Sequence, residues 1–323
     1  MSRDAAPIVL LHVGFPKTAT TSLQDHVFAA MRELTNLGKP EMPRRVKKAL
    51  RRIASEDPER FDPKHVERLR AEVACAARKR RPIVVSHEGM TGSRRMKIGE
   101  QSVLRSHGFR ALRAQTAERL HRSLRDFDVR VLFTIREQRA WLLSNFADLV
   151  LREGLSTELA DWLGRGLDAP DDFYADPDFE RTIAVYEALW GRDRVGVLAY
   201  EEMISDPDRF ARSLAGLCEL PSERVAERIR SLPRSKTRDQ LSDRANPYLA
   251  KRENPAKQFT ATDVVIPKTL APELARAVVA RCAAGNAAIR TRFGLDLERF
   301  GYALVPGNEA SGGASRPDGA PPS

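Results

Sequence analysis

The chain of 323 residues is poor in cysteine, in aromatic side chains and in long apolar runs, and each shortage excludes a class of protein. Its three cysteines, Cys75, Cys218 and Cys282, are too few and too far apart for a disulfide framework. We expect them to be unpaired and buried in a reducing compartment. No apolar run reaches the roughly 18 residues that a transmembrane helix needs, and the first residues lack the basic-then-apolar order of a secretion signal. These features predict a cytoplasmic protein with no transmembrane segment.

Charge is abundant but mixed in sign. The chain has 54 Lys and Arg against 44 Asp and Glu, which gives a net charge of +10 and a pI of about 9.8. Acidic residues are interleaved with the basic ones, and aromatic residues make up only 7% of the chain, so few side chains are available to stack on bases. We therefore predict no nucleic-acid partner and expect an electropositive cleft that attracts an anionic ligand.

The histidines show no metal-binding pattern. All six lie within the first 121 residues and share no ligand spacing with cysteine or aspartate. His87 and Glu88 begin the zinc-protease signature H-E-x-x-H, but Thr91 occupies its fifth position. The sequence therefore predicts no metal.

Residues 8–24, IVLLHVGFPKTATTSLQ, combine an apolar strand, a turn with a cation, and a helix start rich in hydroxyl groups. Such a turn suits an anion, because the first backbone N–H groups of a helix have no intrahelical partner and the positive end of the helix dipole faces the ligand. An ordinary turn capped by threonine is the alternative. If the anion is a phosphate, the candidate binding residues are Gly14, Pro16, Lys17, Thr18, Ala19, Thr20, Thr21 and Ser22.

This turn does not fit the nucleoside-triphosphate loop G-x-x-x-x-G-K-[ST]. Lys17 comes three residues after Gly14, Ala19 stands in place of a second glycine, and no lysine follows. Residues 16–21, PKTATT, instead resemble the phosphosulfate-binding loop of sulfotransferases, P-K-[TSA]-[GA]-T-[TS], at every position. The resemblance implies that the ligand is the sulfate donor 3′-phosphoadenosine 5′-phosphosulfate.

A second part of the resemblance follows the apolar run 129–135, VRVLFTI, which is typical of a strand buried on both faces. Arg136 ends this strand and Ser144 lies eight residues further on, in a predicted helix. The resemblance implies that this pair binds the 3′-phosphate of the donor, for which the planar fork of arginine is suited. It also implies that Tyr200, after the strand 195–199, lies near the adenine; a tyrosine packed at the rim is the alternative.

Residues 83–88, IVVSHE, place two candidate general bases at the end of another strand. By resemblance, saccharide sulfotransferases use a glutamate from this region, whereas the phenol and steroid branch uses a histidine. We prefer Glu88 to His87 because Gly89 and a loop follow it, as in saccharide-acting and bacterial members. We expect partial burial to raise the pKa of Glu88 toward the working pH, while His87 would need no shift of its pKa. Either residue could instead cap the next element.

Two further basic segments have open roles. The family often closes the donor site with a late basic loop containing Arg-Lys-Gly, and this chain lacks that sequence but has nearby cations at Arg234, Lys236 and Arg238. They could close over the 3′-phosphate, contact an anionic acceptor or stay solvated. Three cations after Glu88 are candidates for acceptor contacts: Arg94, Arg95 and Lys97.

The periodicity of the chain predicts an α/β fold, with a three-layer parallel sheet of the nucleotide-kinase type flanked by helices. We predict strands at 8–13, 83–86, 129–135 and 195–199, and helices at 21–34, 63–80, 109–125, 137–151, 179–190, 207–218 and 271–293. The polar segments 36–58 and 91–108 are interpreted as insertions over the sheet. We expect one domain over residues 1–304 and a disordered tail over 305–323, which is rich in Gly, Pro, Ala and Ser.

Together these features predict a sulfotransferase that transfers a sulfuryl group from 3′-phosphoadenosine 5′-phosphosulfate to a hydroxyl of a saccharide or glycolipid. Lys17 would neutralise charge on the departing phosphate oxygen, and Glu88 or His87 would remove the acceptor proton. Two alternatives stay open: a phosphotransferase of the nucleotide-kinase fold, and a nucleotide-binding module without catalysis. The sequence does not indicate an oligomeric state.

Overall fold

The computed structural model describes residues 7–91, 95–98, 101–104, 108–232 and 264–305. Five strands form a parallel sheet in the order β2-β3-β1-β6-β7. They are β1 Val9–His12, β2 Thr35–Asn36, β3 Ile83–Ser86, β6 Val129–Ile135 and β7 Val195–Ala199. A separate antiparallel hairpin consists of β4 Arg95–Ile98 and β5 Gln101–Leu104.

Helices connect the strands within the described ranges. Their bounds are α1 Thr20–Ser22, α2 Arg44–Ser55, α3 Lys64–Ala77, α4 Phe109–Leu124, α5 Gln138–Asp148, α6 Leu159–Asp168, α7 Phe179–Trp190, α8 Tyr200–Ser205, α9 Pro207–Cys218, α10 Ser222–Arg230 and α11 Pro272–Phe293. Two helices continue as π-helical turns, α1 over Leu23–Phe28 and α5 over Leu149–Glu153. Single 3₁₀ turns occupy Pro58–Arg60, Glu88–Thr91, Pro170–Asp172, Arg192–Arg194 and Glu298–Phe300.

Strand β1 lies at the centre of the sheet, with two strands on either side, and all four of its side chains are buried. Val9 pairs with Ile83 of β3 on one side and with Val129 of β6 on the other. The chain leaves β1 toward the β2 edge, returns through β3 and then crosses to β6. Connections thus diverge around β1, and in open α/β sheets ligands bind at the carboxyl ends of strands at such a point.

The core lies on both faces of this sheet. Leu11 packs on the face covered by α2, α4 and α7, whereas Leu10 faces Phe28 after α1 and Phe210 of α9. Both leucines are at most 1% exposed. Burying a leucine to this extent stabilises a fold by about 1.5–3 kcal/mol. Because successive side chains of β1 point to opposite faces of the sheet, the strand packs against helices on both faces, and this packing fixes the position of its carboxyl end.

The predicted parallel α/β architecture is confirmed, but the prediction missed several elements. Strand β2 has only two residues, too few for a period-two pattern to be visible. The predicted insertion 36–58 contains helix α2, whose buried face includes Val46, Leu50 and Ile53. The predicted insertion 91–108 contains the β4–β5 hairpin, and helices α6, α8 and α10 were also missed.

Several local predictions can be compared directly. Asp206 caps α9 by accepting a hydrogen bond from the backbone N–H of Arg209 at 3.0 Å, as the sequence Asp-Pro indicated. Cys218 and Cys282 are free and buried, but Cys75 is exposed, so its predicted burial was wrong. It lies on the outer side of α3, where the helical period turns it away from the buried Leu69 and Val73.

Two further predictions concern the disordered tail and the lack of a transmembrane segment. Residues 306–323 lie outside the described residues, so the predicted disorder there stays a prediction. Within the described ranges, every helix is too short or too polar to cross a lipid bilayer.

Candidate active site

The loop after β1 is built from unusual backbone angles. Gly14 has a φ of 31°, and a side chain there would meet Thr20, because a Cβ would lie 2.5 Å from its Cγ2 atom. Lys17 and Ala19 also adopt the left-handed region, with φ values of 65° and 68°. Such angles cost non-glycine residues about 1–3 kcal/mol and are concentrated at functional sites. The loop therefore has strained backbone angles at two non-glycine positions, Lys17 and Ala19.

Side chains beneath the loop hold this conformation. Thr18 Oγ1 donates a hydrogen bond to the carbonyl of Phe15 at 2.5 Å and accepts one from Thr134 Oγ1 at 2.7 Å. Trp141 Nε1 donates to the carbonyl of Pro16 at 2.7 Å. Because the hydroxyl of Thr18 is fully buried and used in these bonds, Thr18 can offer a ligand only its backbone N–H.

The start of α1 is open to an anion. Ala19 precedes the helix, and the described part of the chain supplies neither a side-chain cap nor an acidic residue in the first turn. The first backbone N–H groups, from Thr20 to Ser22, therefore remain outside the helical hydrogen-bond ladder. The side chain of Thr20 is buried, whereas Thr21 is exposed beside these groups. This arrangement fits a phosphate or sulfate group at the helix N-terminus.

Lys17 forms an ion pair with an acid that the sequence analysis missed. Its Nζ atom lies 2.6 Å from Oδ1 of Asp148, at the end of α5. The side chain of Asp148 is 5% exposed and that of Lys17 is 29% exposed. The buried carboxylate thus fixes the direction of the ammonium group while solvent still reaches it. Asp148 lies four residues after Ser144, so the helical period could have indicated it.

The structure brings Arg136, Tyr200 and Ser144 to the same loop. Arg136 Nη1 donates to the carbonyl of Lys17 at 3.3 Å, and its guanidinium carbon lies 4.9 Å from the centre of the Tyr200 ring. Ser144 lies on α5 between Trp141 and Asp148, both of which contact the loop. The two segments predicted to hold the donor are therefore adjacent in space.

Glu88 lies at the other side of the helix start. Its Oε1 atom accepts hydrogen bonds from Thr21 Oγ1 at 3.3 Å and from Lys39 Nζ at 3.2 Å. Burial raises the pKa of Glu88, but the charge and hydrogen bond of Lys39, with smaller contributions from His87 and Thr21, outweigh burial and place the pKa below its usual range. The predicted upward shift was wrong, because Lys39 follows the missed strand β2.

His87 is poorly placed to accept a proton. The backbone N–H of Gly89 donates to its Nδ1 atom at 3.0 Å, and since this group can only donate, Nδ1 is the unprotonated nitrogen. Burial lowers the pKa of His87 to about 4, although the charge of Glu88 opposes that shift. The expectation that His87 needs no shift was wrong. Of the two candidates, Glu88 keeps the more accessible basic atoms.

Comparisons with known proteins bear on the fold. No protein-family model and no curated protein sequence matches the chain. Among solved structures, the chain is similar to a sulfotransferase from Alicyclobacillus acidocaldarius, with a TM-score of 0.53 and 15% sequence identity. The alignment covers 92% of this chain and 99% of that one. The chain has a sulfotransferase fold. This finding confirms the predicted fold class, and at this identity it extends to the fold alone.

The sulfotransferase fold here contains a buried polar network that the sequence analysis also missed. His12 Nδ1 lies 2.8 Å from Ser86 Oγ, which accepts a hydrogen bond from Gln24 Nε2 at 2.7 Å. Burial lowers the pKa of His12 to about 4, so its ring is neutral at neutral pH. The network joins β1, β3 and the helix after the loop. In the sequence, the polar residues that end β1 and β3, His12 and Ser86, could have indicated this network.

The remaining predicted residues fall on the hairpin or outside the described residues. Arg95 and Lys97 lie on β4 of the hairpin, and Arg94 lies outside the described residues. The late basic segment with Arg234, Lys236 and Arg238 also lies outside them. In the described ranges, no group of three or more His, Cys, Asp or Glu side chains is arranged to hold a metal ion.

Proposed function

We propose that the protein is a sulfotransferase that transfers a sulfuryl group from 3′-phosphoadenosine 5′-phosphosulfate to a hydroxyl of a saccharide or glycolipid acceptor. One observation carries the proposal. Within residues 16–21, Lys17 pairs with the buried carboxylate of Asp148, and Thr21 donates a hydrogen bond to the candidate base Glu88. An anion held at the start of α1 therefore has a cation on one side and a carboxylate on the other.

The donor's two charged ends match two sets of groups. The uncapped N–H groups of the first turn of α1, with the hydroxyl of Thr21, suit the 5′ phosphosulfate. Arg136 uses Nη1 for the carbonyl of Lys17, which leaves other donors of its planar fork for a 3′-phosphate. Ser144 adds a hydroxyl on the adjoining face of α5.

Sulfuryl transfer forms a bond between the acceptor oxygen and sulfur and breaks the bond between sulfur and the bridging phosphate oxygen. Negative charge grows on the departing oxygen, and Lys17 neutralises it with its ammonium group. Asp148 fixes the direction of that group, so it needs little reorganisation when the bond breaks.

The acceptor proton goes to the carboxylate of Glu88. Because Lys39 and Thr21 keep the pKa of Glu88 low, this carboxylate is ionised at neutral pH and ready to accept a hydrogen bond from the acceptor hydroxyl. Both existing contacts of Glu88 use Oε1, which leaves Oε2 for the acceptor.

Two measurements test the proposal. Calorimetry should show tighter binding of 3′,5′-adenosine bisphosphate than of AMP or ADP, because only the first has a 3′-phosphate for Arg136. Incubation with radiolabelled sulfate donor and fractionated cell extract should label a saccharide-containing product. Tighter ADP binding or ATP turnover would favour a phosphotransferase, and donor binding without transfer across a broad acceptor panel would favour a non-catalytic module.

A further inference from the structure

The exposed face of α2 carries positive charge without compensation. Its cations are exposed, and within the described ranges none of them forms an ion pair with a carboxylate: Arg44, Arg45, Lys47, Lys48 and Arg51. Solvated helices usually interleave charges of both signs, as α3 does with Glu67 and Glu72.

The order of these cations works against the stability of the helix. Arg44 and Arg45 occupy the first turn, where the helix dipole is positive, and that turn has no acidic residue. Lys48 follows Arg44 by four residues and Arg51 follows Lys47 by four, so like charges face each other along the helix. An arrangement that opposes folding needs another reason, and binding of an anion supplies one.

A groove beside α2 continues this charge. It encloses about 570 Å³ between α2 and α3 and is lined by Arg44, Arg45, Lys48, Lys64, Arg68 and Glu72. Within the lining, Glu72 is the single carboxylate among five cations, and aromatic side chains are missing from it. The groove therefore favours repeated anionic groups over stacked bases.

The charged face also reaches the candidate active site. Helix α2 packs against the turn Glu88–Thr91, and Ala54 Cβ lies 3.6 Å from where a Cβ of Gly89 would stand. Lys39, just before α2, contacts Glu88 at 3.2 Å. The charges of Lys47 and Arg51 contribute to the lowered pKa of His87, which places them near it. Cations thus run from the candidate base along α2, about 18 Å long for its 12 residues, to the groove.

We propose that α2 and the groove between α2 and α3 bind an acidic polysaccharide, whose repeated carboxylate or sulfate groups pair with these cations, and that this chain is the acceptor presented to Glu88. The acceptor assignment rests on the proposed function, whereas polyanion binding does not. A membrane surface fits less well, because the large apolar side chains exposed in the described ranges, Ile204, Val265 and Val305, lie on neither α2 nor α3.

Binding to dextran sulfate, with neutral dextran as the uncharged counterpart, tests the proposal. The triple variant Arg44→Gln/Arg45→Gln/Lys48→Gln should bind dextran sulfate about tenfold more weakly and lower the slope of log Kd against log salt by about 2. A matched variant removes three exposed cations outside the groove, Arg78→Gln/Lys79→Gln/Arg212→Gln, and should change Kd by less than about twofold. Neutral dextran should not bind.

Several outcomes would contradict the proposed polyanion site on α2 and α3. Equal weakening in both triple variants would mean that only net charge matters. Tighter binding of single-stranded DNA or of anionic vesicles than of dextran sulfate, lost in the same variant, would assign the groove to a different partner. The groove variant should melt at the same or a higher temperature because like-charge repulsion is removed, so weaker binding cannot come from unfolding. If the triple variant melts at a lower temperature, the single variant Arg45→Gln replaces it. We expect this single variant to bind dextran sulfate about threefold more weakly, and unchanged binding would contradict the groove.

Binding of 3′,5′-adenosine bisphosphate separates this site from the proposed function. The groove variant should bind that nucleotide as the unmodified protein does. If the unmodified protein binds dextran sulfate through the groove but shows no preference for the bisphosphate, the proposed function fails and the polyanion site stands. If the bisphosphate binds and dextran sulfate does not, the groove proposal fails alone.

Discussion

The charges at the loop edge of the sheet and those between α7 and α11 are arranged in opposite ways. At the loop edge, the side chains of the pair Lys39 and Glu88 are 47% and 35% exposed. Near α7, Asp176 has a side chain that is 2% exposed and pairs with Arg113, Arg181 and Arg281. The first group is open to a ligand, whereas the second joins protein segments to one another.

This difference separates function from stability. Removing one partner of a buried ion pair leaves an uncompensated charge and costs about 3–5 kcal/mol. Exposed pairs contribute about 0–1 kcal/mol, since water replaces the lost partner. Substitution of Glu88 should therefore change activity with little effect on stability, and substitution of Asp176 should do the reverse.

The largest effect is expected for Glu88→Gln. Loss of the proton acceptor should lower kcat by about 10²–10⁴-fold. The melting temperature should stay within about 2 °C of the unmodified value, because the carboxylate is only partly buried. Because the pKa of Glu88 is lowered, kcat of the unmodified enzyme should stay constant as pH falls toward 4.5, the ordinary glutamate value, and decline only below it. Glu67→Gln on the outer face of α3 is the matched control and should leave kcat unchanged.

The assignment of the base fails if Glu88→Gln keeps its activity while His87→Gln loses it. That result would require the hydrogen bond from Gly89 to His87 to be exchanged during turnover.

Lys17→Ala should lower kcat/KM by about 10²–10³-fold, since charge on the departing oxygen would lose its neutralising partner. Asp148→Asn keeps the shape but weakens the hold on Lys17, and we expect a loss of about tenfold. Steady-state kinetics with the sulfate donor measure both. A rise in KM with unchanged kcat in Lys17→Ala would show that this lysine only binds the ground state.

Asp176→Asn tests whether the buried charges near α7 stabilise the fold. Three arginines would lose their buried carboxylate, so the free energy of unfolding should fall by about 3 kcal/mol and the melting temperature by about 6–12 °C. The value of kcat at a temperature where the variant is folded should change less than about twofold. A large loss of kcat with unchanged stability would contradict the division drawn here.

The smallest effect is expected for Arg136→Lys. A lysine cannot make the two parallel hydrogen bonds of the guanidinium fork, so binding of 3′,5′-adenosine bisphosphate should weaken about tenfold. Binding of AMP should be unchanged, and calorimetry with both ligands measures the difference. Equal weakening for the two ligands would mean that Arg136 supports the loop through the carbonyl of Lys17 and does not select the 3′-phosphate.

Local patterns were enough to predict the centre of the fold. The run from β1 to α1 and the end of β6 contain their own signals, and the structure places Arg136 against the carbonyl of Lys17, as expected for two neighbouring parallel strands. The candidate base could also be located, because Glu88 follows a buried strand.

Contacts between distant segments could not be predicted. Lys39 reaches Glu88 over 49 positions in the chain and Lys17 reaches Asp148 over 131. The helical period places Asp148 on the same face as Ser144, but it does not indicate that Asp148 pairs with Lys17. The predicted direction of the pKa shift at Glu88 was wrong because the prediction included burial but not the opposing charge of Lys39. The exposed side of α2 was visible in the sequence as a basic run, but its meaning depended on the groove that α3 completes.

The neutral rings of His12 and His87 make the stability of the protein depend on pH. Unfolded histidines gain a proton near pH 6.5, whereas these two resist until about pH 4, so the free energy of unfolding declines as pH falls across that interval. The midpoint of urea unfolding should therefore be lower at pH 5 than at pH 7.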